Sequence, residues 1–583
     1  MLKIPMETRG AVRHIFLAII VGLCGGAGAI IFRETIFIIQ KFFFGFILKS
    51  ISYQYYNYNI SIILLPTIGG ILVGLIATKI AIEAIGDGVP DVMESIHIHG
   101  GKIRKRVGFT RIIASAITIG SGGSAGREGP IAQIGASFGS LIGQIGHLNE
   151  RWRKILTASG LAAGLGATFN APLGAAIFTM EVLFTEFEAI SATSIILASV
   201  VGTTFSNAIT KEFLTEHSVI ELGKNLTFNH PFELSFYLLL GLTLGFLSIL
   251  WVKIFYKIED FFDSLRIPLY IKTALGGLCV GIIGIFTLKE IPNGGPLGYG
   301  IMGVGYEGVN MALMGKLSLI LLIILGIVKI VATSFTVGSG GSGGIFSPSL
   351  YIGAMFGGAL GILFNYIAPD IAQVPETYAL VGMGAFFAAT ANAPLTTIIM
   401  IPEMSKDYFL IPAMMMACIT SYVINSLFMK DSIYTLKLAK GGVPIDIDHV
   451  LSEIRVEDIM SKKVDSVSKD ITVREFIDKM WREGHIGYPV VDNNKNLYGI
   501  VTFDDLHDVS PDDKISDICT RNVLTVNPKD SVQIANKIIL ENDIGRLVVV
   551  DNKNPKRIVG IISKTDILRA YHKSLRLKRT WQD

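Results

Sequence analysis

The chain has 583 residues, of which 50% are hydrophobic and 17% charged, whereas an ordinary soluble protein is about a quarter charged. This composition excludes a soluble globular fold for most of the chain, and the net charge of +3 gives no reason to expect a nucleic-acid partner. Apolar runs occupy roughly residues 11–440, and ordinary soluble sequence rich in Asp, Lys, Glu and Val follows from about 445. We therefore expect one large membrane domain followed by a cytosolic module.

The first element joins a basic N-terminus to an apolar run near residues 14–32. Such a run could be mistaken for a signal peptide. Many apolar segments follow it, and basic residues beside a span favour the cytoplasmic side. We interpret this run as the first helix of a multi-pass protein of the cell membrane, with its basic start inside.

The apolar segments that follow differ widely in length. A simple span needs about 20 apolar residues, and several segments are shorter. Short segments interrupted by Gly or Pro indicate broken or re-entrant helices, which are tolerated inside protein or beside a water-filled path. We expect an all-α polytopic membrane protein that is not a bundle of simple spans. The segments lie near 62–85, 111–120, 130–146, 155–169, 171–184, 192–209, 234–255, 269–287, 317–337, 348–366, 378–390, 394–404 and 411–429.

An internal repeat relates two parts of the membrane domain. "GSGGSAGREGPIAQIGASFGSLIG" (120–143) aligns with "GSGGSGGIFSPSLYIGAMFGGALG" (338–361) at a shift of 218 residues, with 13 of 24 positions identical. Further on, "NAPL" occurs at 170–173 and again at 392–395. Repeated halves, often of inverted topology, are typical of membrane transporters, and the substrate site lies where the halves meet.

Three glycine-bounded turns each lead into a helix that starts with proline. They read "GDGVP" (86–90), "GREGP" (126–130) and "GGIFSP" (343–348). Proline suits the first position of a helix, where its missing N–H costs nothing. The unpaired N–H groups of that first turn and the helix dipole form an anion site, and such partial charges bind without holding too tightly for conduction. The three helix starts are predicted to converge on one anion.

Glu128 stands at one of these helix starts. A carboxylate is itself an anion, so it can block the path when ionised and leave when protonated or displaced. A charge at membrane depth is expensive and usually functional. The structural alternative is a salt bridge with Arg127, which is disfavoured because adjacent residues on a helix do not face each other. We predict that Glu128 is a gate and a candidate proton carrier.

The soluble tail contains a second repeat, at 455–510 and 514–572, after a linker at 441–454. Each copy reads helix, strand, helix, strand, turn, strand, helix. Both copies end in a β-branched strand followed by Ser or Thr, two further residues and Asp. The pattern predicts a cytosolic pair of small α/β domains.

Taken together and in this order, the three turn motifs resemble the anion-pathway signatures of the CLC chloride channels and proton-coupled chloride transporters, over roughly residues 10–440. Tyr434 in "DSIYTLKLAKGG" matches the pathway tyrosine of that family, and the tail is similar to a CBS-domain pair. The resemblance implies the inverted-repeat CLC architecture in a membrane domain at 1–440, with halves at about 60–210 and 230–440. It also implies a homodimer with one pathway per subunit.

The resemblance implies site residues as well. Glu128 matches the gating glutamate of the family. Anion ligands are expected from backbone N–H groups at the helix starts and from the hydroxyl of the late tyrosine. The implied anion-binding residues are Asp87, Gly126, Arg127, Gly129, Ile345, Phe346 and Tyr434.

The sequence departs from the family pattern at two positions. Asp87 stands where the family commonly has a serine, and an ionised aspartate repels an anion where a hydroxyl donates to it. Asp87 is either protonated, turned away, or part of an altered selectivity. Val182 stands at the position of the inner glutamate that passes protons in coupled members, as in channel members. The neighbouring Glu181, like Glu403 in the second half, is expected to be a packing or hydrogen-bonding group.

The CBS resemblance implies a ligand for the tail. CBS pairs often bind adenine nucleotides (ATP, ADP or AMP), and the alternative is a dimerisation module without a ligand. The residues at the matching positions are Thr502, Asp505, Ser563 and Asp566.

The favoured function is channel-like chloride permeation, gated by Glu128 and regulated by the CBS pair, and the alternative is a chloride/proton antiporter. A fluoride exporter or a CBS-regulated cation transporter fits less well, since cation transport would want carboxylates along the pathway. An enzyme is not expected, because no nucleophile–base pair, metal cluster or phosphate loop stands out. No cofactor is required for transport.

Overall fold

The computed structural model describes residues 6–570, except for 52, 56–57, 185–188, 214–219, 221, 223–229, 288–297, 442, 444–450, 453, 486, 508 and 543. The chain divides into two compact units, Met1–Gly441 and Gly442–Asp583. Most of the predicted linker, and the last two residues predicted for the second small domain (571 and 572), lie outside the described residues.

The first unit is helical. A π-helical segment, Lys41–Ile47, joins its first two helices, and a two-stranded hairpin of β1 (Gln54–Tyr55) and β2 (Tyr58–Asn59) follows them. The helices of the first half are α1 (Met6–Gln40), α2 (Leu48–Ser50), α3 (Leu64–Lys79), α4 (Val89–His97), α5 (Lys105–Gly120), α6 (Glu128–Ile145), α7 (Glu150–Phe169), α8 (Pro172–Leu183) and α9 (Ala189–Phe213).

The second half continues in the same manner. Eight helical stretches of the described chain are long and apolar enough to cross a membrane, while α4, α8, α12 and α16 have between 8 and 12 residues. Of these short helices, α8 and α16 agree with the predicted short segments at 171–184 and 394–404. The helices are α10 (Glu233–Ser264), α11 (Leu269–Thr287), α12 (Tyr306–Leu313), α13 (Leu319–Gly338), α14 (Phe346–Ile367), α15 (Pro375–Ala391), α16 (Pro394–Ser405), α17 (Ile411–Phe428) and α18 (Ile433–Lys440).

Two sequence expectations about the helices were wrong in detail. The apolar run 62–85 was expected as one segment, but α3 ends at Lys79 and a separate 3-10 turn, Ile82–Ala84, follows. The short helices α4, α12 and α18 were not foreseen as apolar segments, because charged and polar residues interrupt them, as in "VPDVMESIH" of α4. All three lie close to the turns described below.

The repeated "NAPL" motif has a local physical cause. Asn170 and Asn392 cap the ends of α7 and α15 in the left-handed conformation, at φ 55° and 54°. Asparagine tolerates this conformation better than most residues. Pro172 and Pro394 then occupy the first position of the next helix, where proline is favoured. The motif therefore builds the same sharp helix–turn–helix in each half.

Glycines let the long helices of each half pack closely. A side chain at Gly135 of α6 would collide with the carbonyl of Gly160 in α7, and one at Gly353 of α14 would collide with the carbonyl of Gly382 in α15. Small residues at such crossings allow close backbone approach where packing drives association. The equivalent crossings confirm that the two halves repeat in structure.

The two halves meet through reciprocal hydrogen bonds. The N–H of Gly126 donates to the carbonyl of Gly344 and the N–H of Gly344 donates back to that of Gly126, both at 2.7 Å. The amide of Ser124 donates to the hydroxyl of Thr336 at 2.9 Å, and the equivalent amide of Ser342 donates to Thr118 at 3.1 Å. Such exchanged bonds are what a two-fold rotation between the halves produces.

The second unit contains two small three-stranded sheets of the same topology. In each, the first strand pairs in parallel with the second, and the second pairs antiparallel with the third. The strands are β3 (Val467–Ser468), β4 (Gly487–Val491), β5 (Leu497–Thr502), β6 (Thr525–Val526), β7 (Arg546–Val550) and β8 (Ile558–Ser563), and the helices are α19 (Val456–Ile459), α20 (Val473–Glu483), α21 (Ile515–Ile518) and α22 (Val532–Glu541).

The two sheets exchange their leading helices. Val456 of α19 lies in the hydrophobic core built on β7 and β8, and Ile515 of α21 lies in the core built on β4 and β5. Each leading helix therefore packs on the sheet of the other repeat, although it precedes its own sheet in sequence. This exchange ties the two small domains into one unit.

Candidate functional site

The three glycine-bounded turns meet in the first unit. The amide of Gly86 donates to the carbonyl of Gly341 and the amide of Gly343 donates to the carbonyl of Gly86, both at 3.0 Å. Together with the Gly126–Gly344 pair, these bonds bring the starts of α4, α6 and α14 to one place. The predicted convergence of the turns is therefore present in the structure.

A fully buried arginine holds the first turn in shape. The guanidinium of Arg111 donates to the carbonyl of Ile85 at 2.8 Å and to that of Gly86 at 2.7 Å. Gly86 and Gly88 have φ of 73° and 97°, a conformation that glycine adopts at little cost. This turn fixes the direction of the intervening Asp87.

Asp87 points into the site. Its Oδ2 accepts a 2.7 Å hydrogen bond from the amide of Ile345, and its Oδ1 accepts a 3.0 Å bond from the amide of Val89. The residue is 4% exposed. This excludes the turned-away orientation, because the carboxylate takes up an amide donor at the start of α14. That Asp87 binds the anion stays a prediction.

Glu128 is fully buried at the first residue of α6. Its Oε1 accepts a 2.9 Å hydrogen bond from the hydroxyl of Tyr306, while Oε2 has no hydrogen-bond partner among the described residues. The Nε of Arg127 lies 3.9 Å from Oε1, and its guanidinium carbon lies 5.5 Å from the Tyr306 ring centre. The neighbouring arginine is thus a distant partner, and a neutral hydroxyl holds the carboxylate.

Tyr306 was missed in the sequence. Its hydroxyl also lies 2.9 Å from the hydroxyl of Ser347 in the third turn, so one side chain connects the starts of α6 and α14. The buried amine of Lys329 donates to the carbonyls of Gly300, Ile301 and Gly303 in the loop before α12. The signal for this region is the glycine-rich "GYGIMGVGY" (298–306), which stands too far along the chain from the other turns to be linked to them by pattern.

Tyr434 lies at the other side of the site. It is fully buried, and its hydroxyl has no hydrogen-bond partner in the described part of the chain. Its ring centre is 6.4 Å from that of Phe178, which lies 5.7 Å from that of Phe346. A buried hydroxyl donor without a partner costs free energy, so this position fits a group that donates to a transported anion.

The predicted amide ligands divide into two groups. The N–H groups of Gly126 and Ile345 are already bonded, to the carbonyl of Gly344 and to Asp87, so the anion-binding roles of these two residues stay predictions. Arg127, Gly129 and Phe346 lie at or beside the first residues of α6 and α14, where helical N–H groups lack intrahelical acceptors. Their amides remain the candidate donors.

Glu181 and Glu403 cap each other's helices. The Glu181 carboxylate accepts from the amides of Leu395 and Thr396 at the start of α16, and the Glu403 carboxylate accepts from those of Leu173 and Gly174 at the start of α8. This confirms the expected hydrogen-bonding role of both acids. Val182 lies in the last turn of α8, partly buried.

In the second unit, the four predicted nucleotide positions form two equivalent turns. The Oδ2 of Asp505 accepts from the amide and hydroxyl of Thr502 at 2.7 and 2.9 Å. The Oδ2 of Asp566 accepts from the amide and hydroxyl of Ser563 at 3.0 and 2.6 Å. Each aspartate thus rigidifies the turn after the third strand of its sheet.

Comparison with protein-family models agrees with both units. Residues 69–426, more than half of the chain, match the family described as voltage gated chloride channel. Residues 456–512 and 515–573 match the CBS domain.

Curated relatives cover most of the first unit. The chain is 32% identical over 384 residues to the putative chloride channel protein ClcB-like of Ralstonia nicotianae, covering 65% of this chain and 86% of the relative. It is 32% identical over 367 residues to the H(+)/Cl(-) exchange transporter ClcA of Yersinia pestis, covering 63% and 74%. It is 29% identical over 435 residues to the transporter of the same name from Salmonella paratyphi A, covering 73% and 88%.

Solved structures show the same fold. A slow cyanobacterial Cl-/H+ antiporter aligns with a TM-score of 0.65 at 26% identity, covering 74% of this chain and 98% of that one. A eukaryotic CLC transporter aligns with a TM-score of 0.63 at 18% identity, covering 95% of this chain and 98% of that one. At that lower identity, the second likeness concerns the fold alone.

Proposed function

The chain belongs to the CLC family of voltage-gated chloride channels and carries a C-terminal pair of CBS domains, and we propose that it exchanges chloride for protons across the membrane. The observation that carries this proposal is the state of Glu128. Its carboxylate is fully buried at a helix start, is held by a neutral hydroxyl, and keeps one oxygen without a partner among the described residues. A carboxylate in this setting can bind a proton and leave the helix start, and an anion can then bind there.

Glu128 couples the two ions by competition. When ionised, it occupies the positive helix starts that an anion would use. When protonated, it is neutral and loses its attraction to them, so chloride can take its place. Loss of the proton from the displaced side chain restores the ionised carboxylate, which returns to the helix starts and displaces the chloride. When the proton is released on the side opposite to the chloride, each cycle moves the two ions in opposite senses.

The relatives favour this exchanger, the alternative reading of the sequence, over the channel-like reading. The matches to two relatives named exchange transporters span 74% and 88% of the relatives' own length, and a solved structure 26% identical to this chain is a Cl-/H+ antiporter. Channel-like permeation is the second candidate, because Val182 cannot carry a proton where coupled members have an inner glutamate. An exchanger therefore needs another route for the proton on that side.

The remaining expectations belong to the same proposal. We place the CBS pair on the cytoplasmic side as a regulatory unit, with an adenine nucleotide as its candidate ligand, and we expect a homodimer with one pathway per subunit. The equivalent turns at Thr502 and Ser563 support the nucleotide proposal, since both present an ordered carboxylate next to a strand end.

Uphill transport tests the proposal. Purified protein in liposomes should accumulate chloride against its gradient when a proton gradient is imposed across the bilayer. Passive chloride flux that moves no protons would favour the channel instead. Absence of chloride flux, both with an imposed proton gradient and down a chloride gradient, would contradict both the exchanger and the channel.

A further inference from the structure

The carboxylate of Asp87 lies where the sequence leads one to expect an anion. The amide of Ile345, in the third turn motif, was expected to bind the transported ion. It donates instead to Oδ2 of Asp87, at 2.7 Å, across the junction between the two halves. The second oxygen accepts from Val89 at the start of α4, so one carboxylate joins two helix starts.

We propose that Asp87 is a second side-chain carboxylate that competes with chloride in the anion pathway, in series with Glu128. This proposal rests on the proposed function. When ionised, it holds the Ile345 amide and excludes chloride from it. When protonated, it releases the amide to chloride and can donate its own O–H to that ion, as the serine of relatives would. Passage of an anion past the start of α14 is then linked to binding of a proton at Asp87.

The chemistry of this step balances without any further reactant. A proton binds a carboxylate oxygen, the hydrogen bond from Ile345 is transferred from that carboxyl to chloride, and the reverse steps restore both. A neutral carboxyl keeps one O–H donor, whereas an ionised one is acceptor-only and repels an anion. The residue type therefore matters, because a serine at this position would donate at every pH and would not gate.

Charges on several surrounding helices bias this switch. Arg111 of α5 and Lys437 of α18 attract the ionised Asp87, and the Lys437 amine is itself 4.0 Å from the Glu259 carboxylate of α10. Asp91 of α4 shares Arg111 with Asp87. Among the described residues, further titratable groups around the site are Tyr256 of α10, Tyr434 of α18 and Glu128 of α6, and Glu128 has Arg127 and Tyr306 beside it.

The position also explains the glycine that follows Glu128. A side chain at Gly129 would collide with the backbone carbonyl of Asp87 and would lie 3.0 Å from its carboxyl carbon. The starts of α4 and α6 are thus in direct contact at this point. Movement of the Asp87 carboxylate occurs beside the gate, and one pathway can contain both acids.

The test removes the first carboxylate so that the second can be seen alone. Passive chloride efflux from liposomes is measured between pH 5 and 7.5 for Glu128→Gln and for Glu128→Gln combined with Asp87→Asn. We expect efflux of the single variant to rise as the pH falls, because protonation frees the Ile345 amide. The double variant should be independent of pH and about tenfold faster at pH 7.5, since a tethered competitor acts at roughly millimolar effective concentration.

A matched control separates the amide contact from loss of negative charge. Asp91→Asn, in the Glu128→Gln background, removes another acid of α4. The Asp91 carboxylate accepts a 3.3 Å hydrogen bond from the Gln133 side chain and does not contact the Ile345 amide. Asp91→Asn should keep the acid activation of the single variant. Equal pH profiles for the single variant and for the Asp87→Asn double variant would overturn the proposal, as would loss of acid activation in the Asp91 control.

Chloride binding to the purified full-length protein gives a second readout that does not depend on turnover. Calorimetry at pH 7.5 should show chloride binding about tenfold tighter to Asp87→Asn than to the unchanged protein, with the two affinities converging at pH 5. Equal affinities at pH 7.5 would sink the idea even if the variants conduct poorly. If the unchanged protein carries chloride and protons but fails this test, the proposed function stands and the role of Asp87 falls.

Discussion

The hydroxyl of Tyr306 donates a 2.9 Å hydrogen bond to Oε1 of Glu128. Tyr306 begins α12 and Glu128 begins α6, so the bond joins segments from the two halves of the repeat. The same hydroxyl lies 2.9 Å from Ser347, in the first turn of α14. The position of the gate thus depends on a residue outside the three turn motifs.

Tyr306→Phe should speed chloride transport at neutral pH. A hydrogen bond to a charged acceptor contributes about 1.5–3 kcal/mol, so without it the Glu128 carboxylate leaves its position more readily. We expect a rise of about tenfold, since 1.4 kcal/mol corresponds to that factor. Initial chloride flux from liposomes measures it. Ser347→Ala is the control, because it removes the other neighbour of the Tyr306 hydroxyl without touching Glu128. An unchanged rate in Tyr306→Phe would show that this hydrogen bond does not hold the Glu128 carboxylate in place.

Glu181 and Glu403 should matter for stability and not for proton coupling. Each carboxylate caps the other half's helix, and loss of such a cap costs about 1 kcal/mol. Glu181→Ala and Glu403→Ala should lower the unfolding temperature by similar amounts while the number of protons moved per chloride stays the same. Thermal unfolding and paired ion fluxes measure the two effects. Loss of coupling in Glu181→Ala alone would make Glu181 a member of the proton path.

Lys329 should be essential for the loop that carries Tyr306. Its amine donates to three buried carbonyls, at 2.8, 3.1 and 3.1 Å, and each buried acceptor left without a partner costs about 1–3 kcal/mol. Lys329→Met fills the same space without donors and should lower stability by several kcal/mol. Thermal unfolding in detergent tests this. A variant as stable as the unchanged protein would show that the loop does not need the amine.

The CBS pair should respond to adenine nucleotides through its two aspartates. If ATP binds the folded chain, it raises the unfolding temperature, and above the Kd the shift grows with the logarithm of the ATP concentration. Asp566→Asn should reduce that shift, because the ordered carboxylate at the strand end loses its charge. Lys553→Gln, a change in the exposed turn between β7 and β8, is the control and should respond as the unchanged protein does. The absence of any nucleotide effect on unfolding would leave the pair as a dimerisation module.

Much of the fold was readable from the sequence, since repeats make a local pattern visible twice. The "NAPL" motif encodes a left-handed cap at Asn170 followed by a helix start at Pro172, and its second copy encodes the same turn. The exchange of α19 and α21 between the small sheets was not readable, because it depends on packing between distant segments. Val456 and Ile515 look alike in the sequence, and only the hydrophobic core that each one joins in the structure shows which sheet it covers.

The candidate site was readable in part. The turn motifs predicted where α4, α6 and α14 begin, because glycine and proline act on the local backbone. They did not predict that Asp87 would bond the Ile345 amide, since that contact joins residues 258 positions apart. Tyr306 was missed for the same reason. Contacts between side chains of the two halves depend on the fold, and no local sequence motif predicts them.

Coupled flux in the unchanged protein and in Glu128→Gln shows whether Glu128 links chloride movement to proton movement. Chloride and proton movements are recorded together as liposomes release chloride down its gradient. We expect the unchanged protein to move protons opposite to chloride in a fixed ratio, and Glu128→Gln to release chloride without protons. Equal proton movement in both proteins, or none in the unchanged one, would contradict the proposed role of Glu128.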